Sequence, residues 1–331
     1  MEVYKRASEL PEEWDEFCKD NYAMQRSFLT LMEEVNPCQQ QYYLFKDQEN
    51  KFDSVFMTFK KKKHNIGMFS PIDFKIDTTF IYVPLSIANA GIIIGEKTKE
   101  QVEKAIKKIR GCKLILNIHS NPHFKNFAFG LTCSNILLDI RWNSFEQYMS
   151  DLRSSYRYRY KKALKSSSEL EFKILSDNKL FDDRLYKLYE DVFNNSKFQV
   201  EKLTKEFFQK CKAKIIVAYK GSEPIAFIQL IENKKVLVFG FIGVDYKYNT
   251  QYDLYITMLL KMVEYAIDHK FEIVDLGQTA DDTKLKLGGR YVDLYALVHH
   301  SNPILNLIIR IFTHFIEFKP IKTKFNVFKS R

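Results

Sequence analysis

The residues best able to do chemistry are concentrated in two stretches. The first, VDLGQTADDTKLKLGGR (274–290), sets Asp281, Asp282, Lys284 and Lys286 beside the chain's only Gly-Gly pair, directly behind a short apolar run. Such a cluster suits proton or charge chemistry at the end of a strand. It also suits a capped short helix, with Thr279 or Asp281 as N-cap and Gly288 as the C-terminal stop. The second stretch is SFEQYMSDLRSSYRYRYKKALKSSSEL (144–170). Placed on one helix over 143–165, Leu152, Tyr156, Tyr160 and Ala163 line one side, while Arg153, Arg157, Lys161 and Lys165 form a basic stripe at i+4 steps. Like charges at that spacing cost a few tenths of a kcal/mol per pair. Either the stripe is a solvated face, or Arg153, Arg157 and Arg159 hold an anionic ligand through bidentate contacts to phosphate or carboxylate.

Other chemistries are excluded or weakened by composition. The 331 residues contain only 11 glycines, and neither GxxxxGK[ST], GxGxxG nor HExxH occurs. His119 and His123, in HSNPH, have helical spacing but Pro122 lies between them, which predicts a loop rather than a metal site. The five cysteines (Cys18, Cys38, Cys112, Cys133, Cys211) show no CxxC spacing, and the N-terminus lacks an apolar leader-like run. Both point to a reducing, cytoplasmic setting. A net charge of +10 favours an anionic partner: nucleic acid, a phosphorylated carrier or a lipid surface.

The elements that must position these residues follow from periodicity. KIIVAY, PIAFIQLIE and VLVFGFIGV (214–244) read as an antiparallel meander separated by tight connections. TQYDLYITMLLKMVEYAIDHK is a helix with Leu254, Met258, Met262 and Tyr265 at helical spacing, and FEIVDLG is the strand after it, so the helix is the crossover of a parallel pair. YVDLYALVHH (291–300) alternates as a further strand. The first half repeats this order more faintly: QYYLFK pairs with FDSVFMTFK, TFIYVPL and AGIIIG follow, then a helix TKEQVEKAIKKIRG with Thr98 as N-cap, and CKLILNI as a strand. Two such units predict a pseudo-duplicated α/β (α+β) chain.

LRSSYRYRYKKALK, AYKGSEPIAFIQLIE and VDLGQTADDTKLKLGG, in that order, resemble the GNAT-type acyltransferases of the FemAB-like group, which includes the peptidoglycan-bridge and BioF-like acetyltransferases. The likeness covers 140–300 well and the first 135 residues only by order of elements. Arg157 matches the group's recurrent arginine, and Lys284 and Gly288 match its K-x-x-x-G segment. The resemblance implies two GNAT-like halves, 1–139 and 140–331, each a mixed sheet flanked by helices. It also implies transfer of an acyl or aminoacyl group from an activated carrier to an amine of a cell-envelope or small-molecule precursor, without metal. Gln278, Asp281, Asp282 and Lys284 would then border the cleft where two parallel strands part, with Lys284 offsetting negative charge and an aspartate orienting the amine. The chain departs from the usual pattern after FIGV, where DYKYNTQYDLY has no glycine to cradle the pyrophosphate of acyl-CoA. Lys247 and a helix N-terminus near Thr250 either hold a phosphate of acyl-CoA or another acyl carrier, or are plain surface. The paired-helix arm of some tRNA-dependent members is missing, which weighs against aminoacyl-tRNA and leaves it as the alternative donor; a basic nucleic-acid-binding module that is not an enzyme is the other alternative.

The tail NPILNLIIRIFTHFIEFKP forms a helix with one narrow polar stripe (Asn306, Arg310, Thr313 or His314, Glu317). Such a helix is expected to be buried against the protein. The basic segment after it allows a peripheral contact with the inner face of a membrane through 303–331.

Overall fold

In the computed structural model the described residues are 1–65, 75–85, 88–196, 201–279, 281–316 and 322–329, without the side chains of Asp281 and of 313–316. Contacts divide the chain into two units, 1–134 with 293–321, and 135–292 with 322–331.

The first unit opens with β1 (Glu2–Tyr4), α1 (Glu13–Phe17) and α2 (Arg26–Val35). The hairpin β2 (Gln41–Lys46) and β3 (Phe52–Asn65) follows, then β4 (Lys75–Ile81), β5 (Ile92–Ile93), α3 (Lys99–Lys108), β6 (Cys112–Ile118) and β7 (Ala128–Leu131). The expected pairing of QYYLFK with FDSVFMTFK is present and antiparallel. α3 joins the parallel strands β4 and β6, and its Val102 and Ile106 pack on Phe45, Phe56, Ile81 and Ile115 in one core. Thr98 precedes α3 as expected, but its side chain does not cap the helix; its backbone N–H and its hydroxyl both donate to Asp53 Oδ2 at 2.8 Å.

The second unit contains β8 (Asn135–Asp139), α4 (Phe145–Asp151), α5 (Ser154–Ser166), β9 (Glu171–Ile174), α6 (Asp183–Asn195), α7 (Lys205–Lys210), β10 (Lys214–Lys220), β11 (Glu223–Asn233), β12 (Val236–Val244), α8 (Tyr246–Tyr252), α9 (Leu254–Asp268), β13 (Ile273–Gly277), α10 (Asp281–Lys286) and β14 (Arg290–Val292). Its sheet runs β14-β8-β13-β12-β11-β10-β9. The meander β10-β11-β12 is antiparallel throughout. α9, apolar nearly all round and almost wholly buried, crosses over to place β13 parallel to β12. The chain then returns to the first unit as β15 (Tyr295–His300), between β6 and β7, and α11 (Pro303–Ile316).

Three expectations are corrected. YVDLYALVHH is not one strand: Arg290–Val292 pairs with β8 and Tyr295–His300 with β6 and β7, in different sheets. The 143–165 helix is two helices, because Leu152 and Arg153 are extended (ψ 143° and 154°). There the chain's end runs alongside: Arg153 N–H donates to Val327 O, and Lys329 N–H to Asp151 O, both at 2.9 Å. Third, α11 is not buried through its apolar side. Ile304, Leu307 and Ile311 are 70, 54 and 59% exposed, while Asn306 is buried. The roll of the helix is set by hydrogen bonds, since Asn306 accepts from His300 N–H (2.9 Å) and donates to Asn126 O (2.9 Å), and Arg310 donates to Asn126 Oδ1 (3.3 Å).

Candidate active site

In the second unit the site begins with a parting of strands. β12 and β13 share a ladder only where Val236–Val238 face Ile273–Asp275. Beyond it Phe239–Val244 continue against β11 alone, while β13 turns with β8, its register shifting between Asp275 and Gly277. Gly277, at φ 71°, makes that turn, and Asp275 Oδ1 accepts its N–H at 2.8 Å. A wedge therefore opens between Phe239 on one strand and Leu276 on the other.

The lip of β12 is irregular. Ile228 faces Ile242 and Leu230 faces Phe239, so Gln229 faces both Gly240 and Phe241. Such a bulge takes one residue's backbone groups out of the ladder. Gln229 has no exposed surface, and neither its Oε1 nor its Nε2 has a hydrogen-bond partner among the described residues. A Cβ on Gly240 would lie only 3.0 Å from that Oε1. By strand alternation Gln229 shares the face of Phe227, whose ring meets Phe181 and Phe208; Phe208 also meets Phe241 beside the bulge. A buried carboxamide without partners costs about 1–3 kcal/mol.

The opposite lip carries Lys284. This lysine is 2% exposed, its Nζ donates to Gln278 O at 2.8 Å, and it lies 5.4 Å from the Phe239 ring centroid. One turn of α10 thus brings an ammonium group between the two parted strands. α10 is held from behind by the tyrosines of the helix pair: Tyr148 OH donates to Leu287 O at 3.0 Å and Tyr160 OH to Lys286 O at 2.5 Å. Burial pushes both phenols well above their usual range, so they remain protonated donors. Gly288 ends the helix at φ 101°, and a Cβ there would meet the Phe328 ring at 2.2 Å.

Only part of the expected site converges here. Lys284 and the carbonyl of Gln278 stand at the wedge. Asp282 does not: it is exposed, its carboxylate 3.5 Å from Lys286 Nζ. The side chain of Asp281 lies outside the described residues; its backbone opens α10, and Thr279, at φ 66°, precedes the helix. Arg153 is exposed and its Nε donates to Phe328 O at 3.1 Å. Arg157 donates to Ser150 O (3.1 Å) and Leu152 O (3.2 Å), closing the end of α4. Arg159, Lys161, Lys162 and Lys165 are exposed, and none of them makes an ion pair among the described residues. His119 and His123 are exposed, and the described residues include no cluster able to hold a metal.

The helix after β12 starts at Tyr246, so Thr250 lies late in α8 rather than at its N-terminus. That N-terminus is capped by Asp245, whose carboxylate accepts Lys247 N–H at 2.8 Å and sets a negative charge where a pyrophosphate would need donors. Lys247 Nζ rests 5.0 Å from the Tyr248 ring centroid. At the start of α9 the Tyr255 N–H is taken by Asn249 Oδ1 (3.1 Å). The segment contains no glycine, and its Lys247 and Tyr255 amides are already bonded to side chains.

Gln229 and the bulge were missed by motif reading. Their signal is a lone carboxamide at the centre of PIAFIQLIE, on a face where its neighbours are apolar.

Residues 150–285 match the profile of the acetyltransferase (GNAT) domain family. Among solved structures, FemX superposes with TM-score 0.59 at 9% identity, covering 94% of this chain and 100% of that one. L-PGS from Bacillus licheniformis superposes with TM-score 0.53 at 11% identity (90% and 97%). The C-terminal domain of a putative lysylphosphatidylglycerol synthetase from Agrobacterium fabrum gives 0.52 at 10% (87% and 90%). No curated protein matches the sequence. The chain thus has a mixed α/β fold with two mixed sheets flanked by helices, as these solved structures do, and the stretch that matches the acetyltransferase (GNAT) profile lies within its second unit.

Proposed function

We propose that the wedge between β12 and β13 is an acyl-transfer site, which moves an acyl or aminoacyl group from an activated carrier to an amine of a cell-envelope or small-molecule precursor. The observation that carries this reading is the buried ammonium of Lys284 facing Phe239 where β12 and β13 part, next along β12 to the bulge at Gly240 and Phe241 that Gln229 faces. When the amine nitrogen attacks the acyl carbonyl, negative charge develops on that oxygen. Backbone N–H groups released by the bulge are fixed donors for it, and Lys284 offsets charge on the oxygen or on the departing carrier. Gln229 supplies both a donor and an acceptor to orient the transferred group or the incoming amine. Collapse forms the amide and expels the carrier, with the amine proton passing to the carrier or to solvent.

The filled N-termini of α8 and α9 favour a carrier other than acyl-CoA in its usual pose. Together with the exposed cations of α5, which make no ion pair among the described residues, they favour aminoacyl-tRNA as the second reading; one structural neighbour is named as a putative lysylphosphatidylglycerol synthetase. Mass spectrometry of small molecules and nucleic acids co-purifying with the protein, followed by a transfer assay with and without ribonuclease, separates the two. A product mass that vanishes on ribonuclease treatment selects tRNA. Transfer unchanged in Lys284→Met would overturn the site.

A further inference from the structure

α11 presents a face that the fold of its own unit leaves uncovered. Ile304, Leu305, Leu307, Ile308 and Ile311 are between 43 and 70% exposed, on a helix whose inward side is held by Asn306 and Ile309. Isolated exposed apolar side chains are ordinary, but five on one four-turn helix form a continuous patch. The helix and the segment after it are basic. α11 contains no acid, and residues 303–331 carry six Lys and Arg against Glu317 alone. Arg310 projects from the helix beside Asn126, next to which Lys125 is exposed, and exposed Arg110 adjoins Gly111, whose backbone exchanges hydrogen bonds with Ser301 just before the helix.

We infer that α11 docks on an anionic lipid surface, lying in the headgroup plane with Ile304, Leu307, Ile308 and Ile311 inserted and Arg310, Lys125 and Arg110 against lipid phosphates. An apolar face rimmed by cations is the pattern of an interfacial helix. Its 14 residues make about 21 Å, short of the ~30 Å hydrocarbon core, and no described helix is long and apolar enough to cross a membrane. A second copy is the weaker occupant, because pairing through α11 opposes two chains of +10 charge and their Arg310 side chains, whereas an anionic bilayer compensates both.

The inference does not depend on the transfer reaction. Its test is sedimentation of the full chain with vesicles of phosphatidylcholine alone and of phosphatidylcholine mixed equally with phosphatidylglycerol. The wild type is expected to bind the mixed vesicles, and at least ~10-fold more weakly the neutral ones. Leu307→Glu and Ile311→Glu, at exposed positions, are expected to keep the thermal transition and lose binding by ~10-fold or more each; Lys125→Glu is expected to weaken binding to mixed vesicles only. The inference is overturned if the wild type ignores mixed vesicles. It is equally overturned if the glutamate variants bind as the wild type does, which would leave only a general basic attraction. A dimer in solution that Leu307→Glu dissociates, without vesicle binding, would assign the face to a second copy. Transfer unchanged in Lys284→Met, with vesicle binding retained by the wild type, would count against the proposed site and not against this surface.

Discussion

Lys284 and Gln229 are opposite solutions to the same problem of burying polarity. The lysine is satisfied by the Gln278 carbonyl and faces an aromatic ring, an arrangement that stabilises a positive charge. The glutamine has no side-chain hydrogen-bond partner among the described residues, and the cost is carried by the rest of the unit. Two outcomes follow at this scale. Lys284→Met, which keeps most of the buried volume, is expected to leave the circular dichroism spectrum intact and lower transfer about 10²-fold, the usual loss on removing a fixed stabilising group. Gln229→Leu is expected to leave the melting temperature unchanged or raise it, because an unsatisfied amide is removed, while transfer falls. A clear drop in melting temperature for Gln229→Leu would show that the amide has a structural partner and is not waiting for a ligand. Lys284 was legible in the sequence through its K-x-x-x-G setting, whereas Gln229 was legible only as an oddity in an apolar run.

At the scale of elements, the tyrosine and arginine helix works as a brace. Tyr148 and Tyr160 hold the last carbonyls of α10, and Arg157 closes α4 against the break at Leu152–Arg153. Arg157→Ala removes two charge-assisted hydrogen bonds, so a loss of about 1.5–3 kcal/mol is expected in a denaturant titration, with Arg157→Lys in between. If Arg157 instead contacted only substrate, stability would not move. Gly288→Ala is expected to cost more than Gly→Ala in an ordinary helix, about 1 kcal/mol or above, because it meets both the left-handed backbone and the Phe328 ring. Comparing it with Gly288→Ala combined with Phe328→Ala by thermal melting separates the two terms. The meander, crossover helix and hairpin were readable from period and turn residues. The break in the basic helix was not, since it depends on residues 327–329, which the chain brings back from far along the sequence.

For the whole molecule, the charge of +10 and the buried imidazoles act together at low pH. Burial, and then Lys113, hold His299 down at about 4; burial, and then Lys61, do the same for His64. Both lie below the unfolded value near 6.5, so between those two pH values the unfolded chain binds the extra protons. Their contribution to stability is therefore complete above about 6.5 and is lost as the pH falls toward 4. Melts across that range should show a declining transition temperature, and His299→Gln should flatten the decline; an equally steep fall in the variant would assign it to carboxylates instead.

By itself the sequence determined the class of fold, the pairing order of the meander and the position of Lys284 behind a parallel strand, because hydrophobic period and turn chemistry are local. Tertiary structure alone decided which charges share a site. Asp282 turned to solvent, Asp245 filled the helix end where a carrier phosphate was expected, and Asn306 rolled the apolar face of α11 outward. Each outcome rests on a hydrogen bond or ion pair whose partner is chosen by packing, and spacing along the chain does not encode that choice.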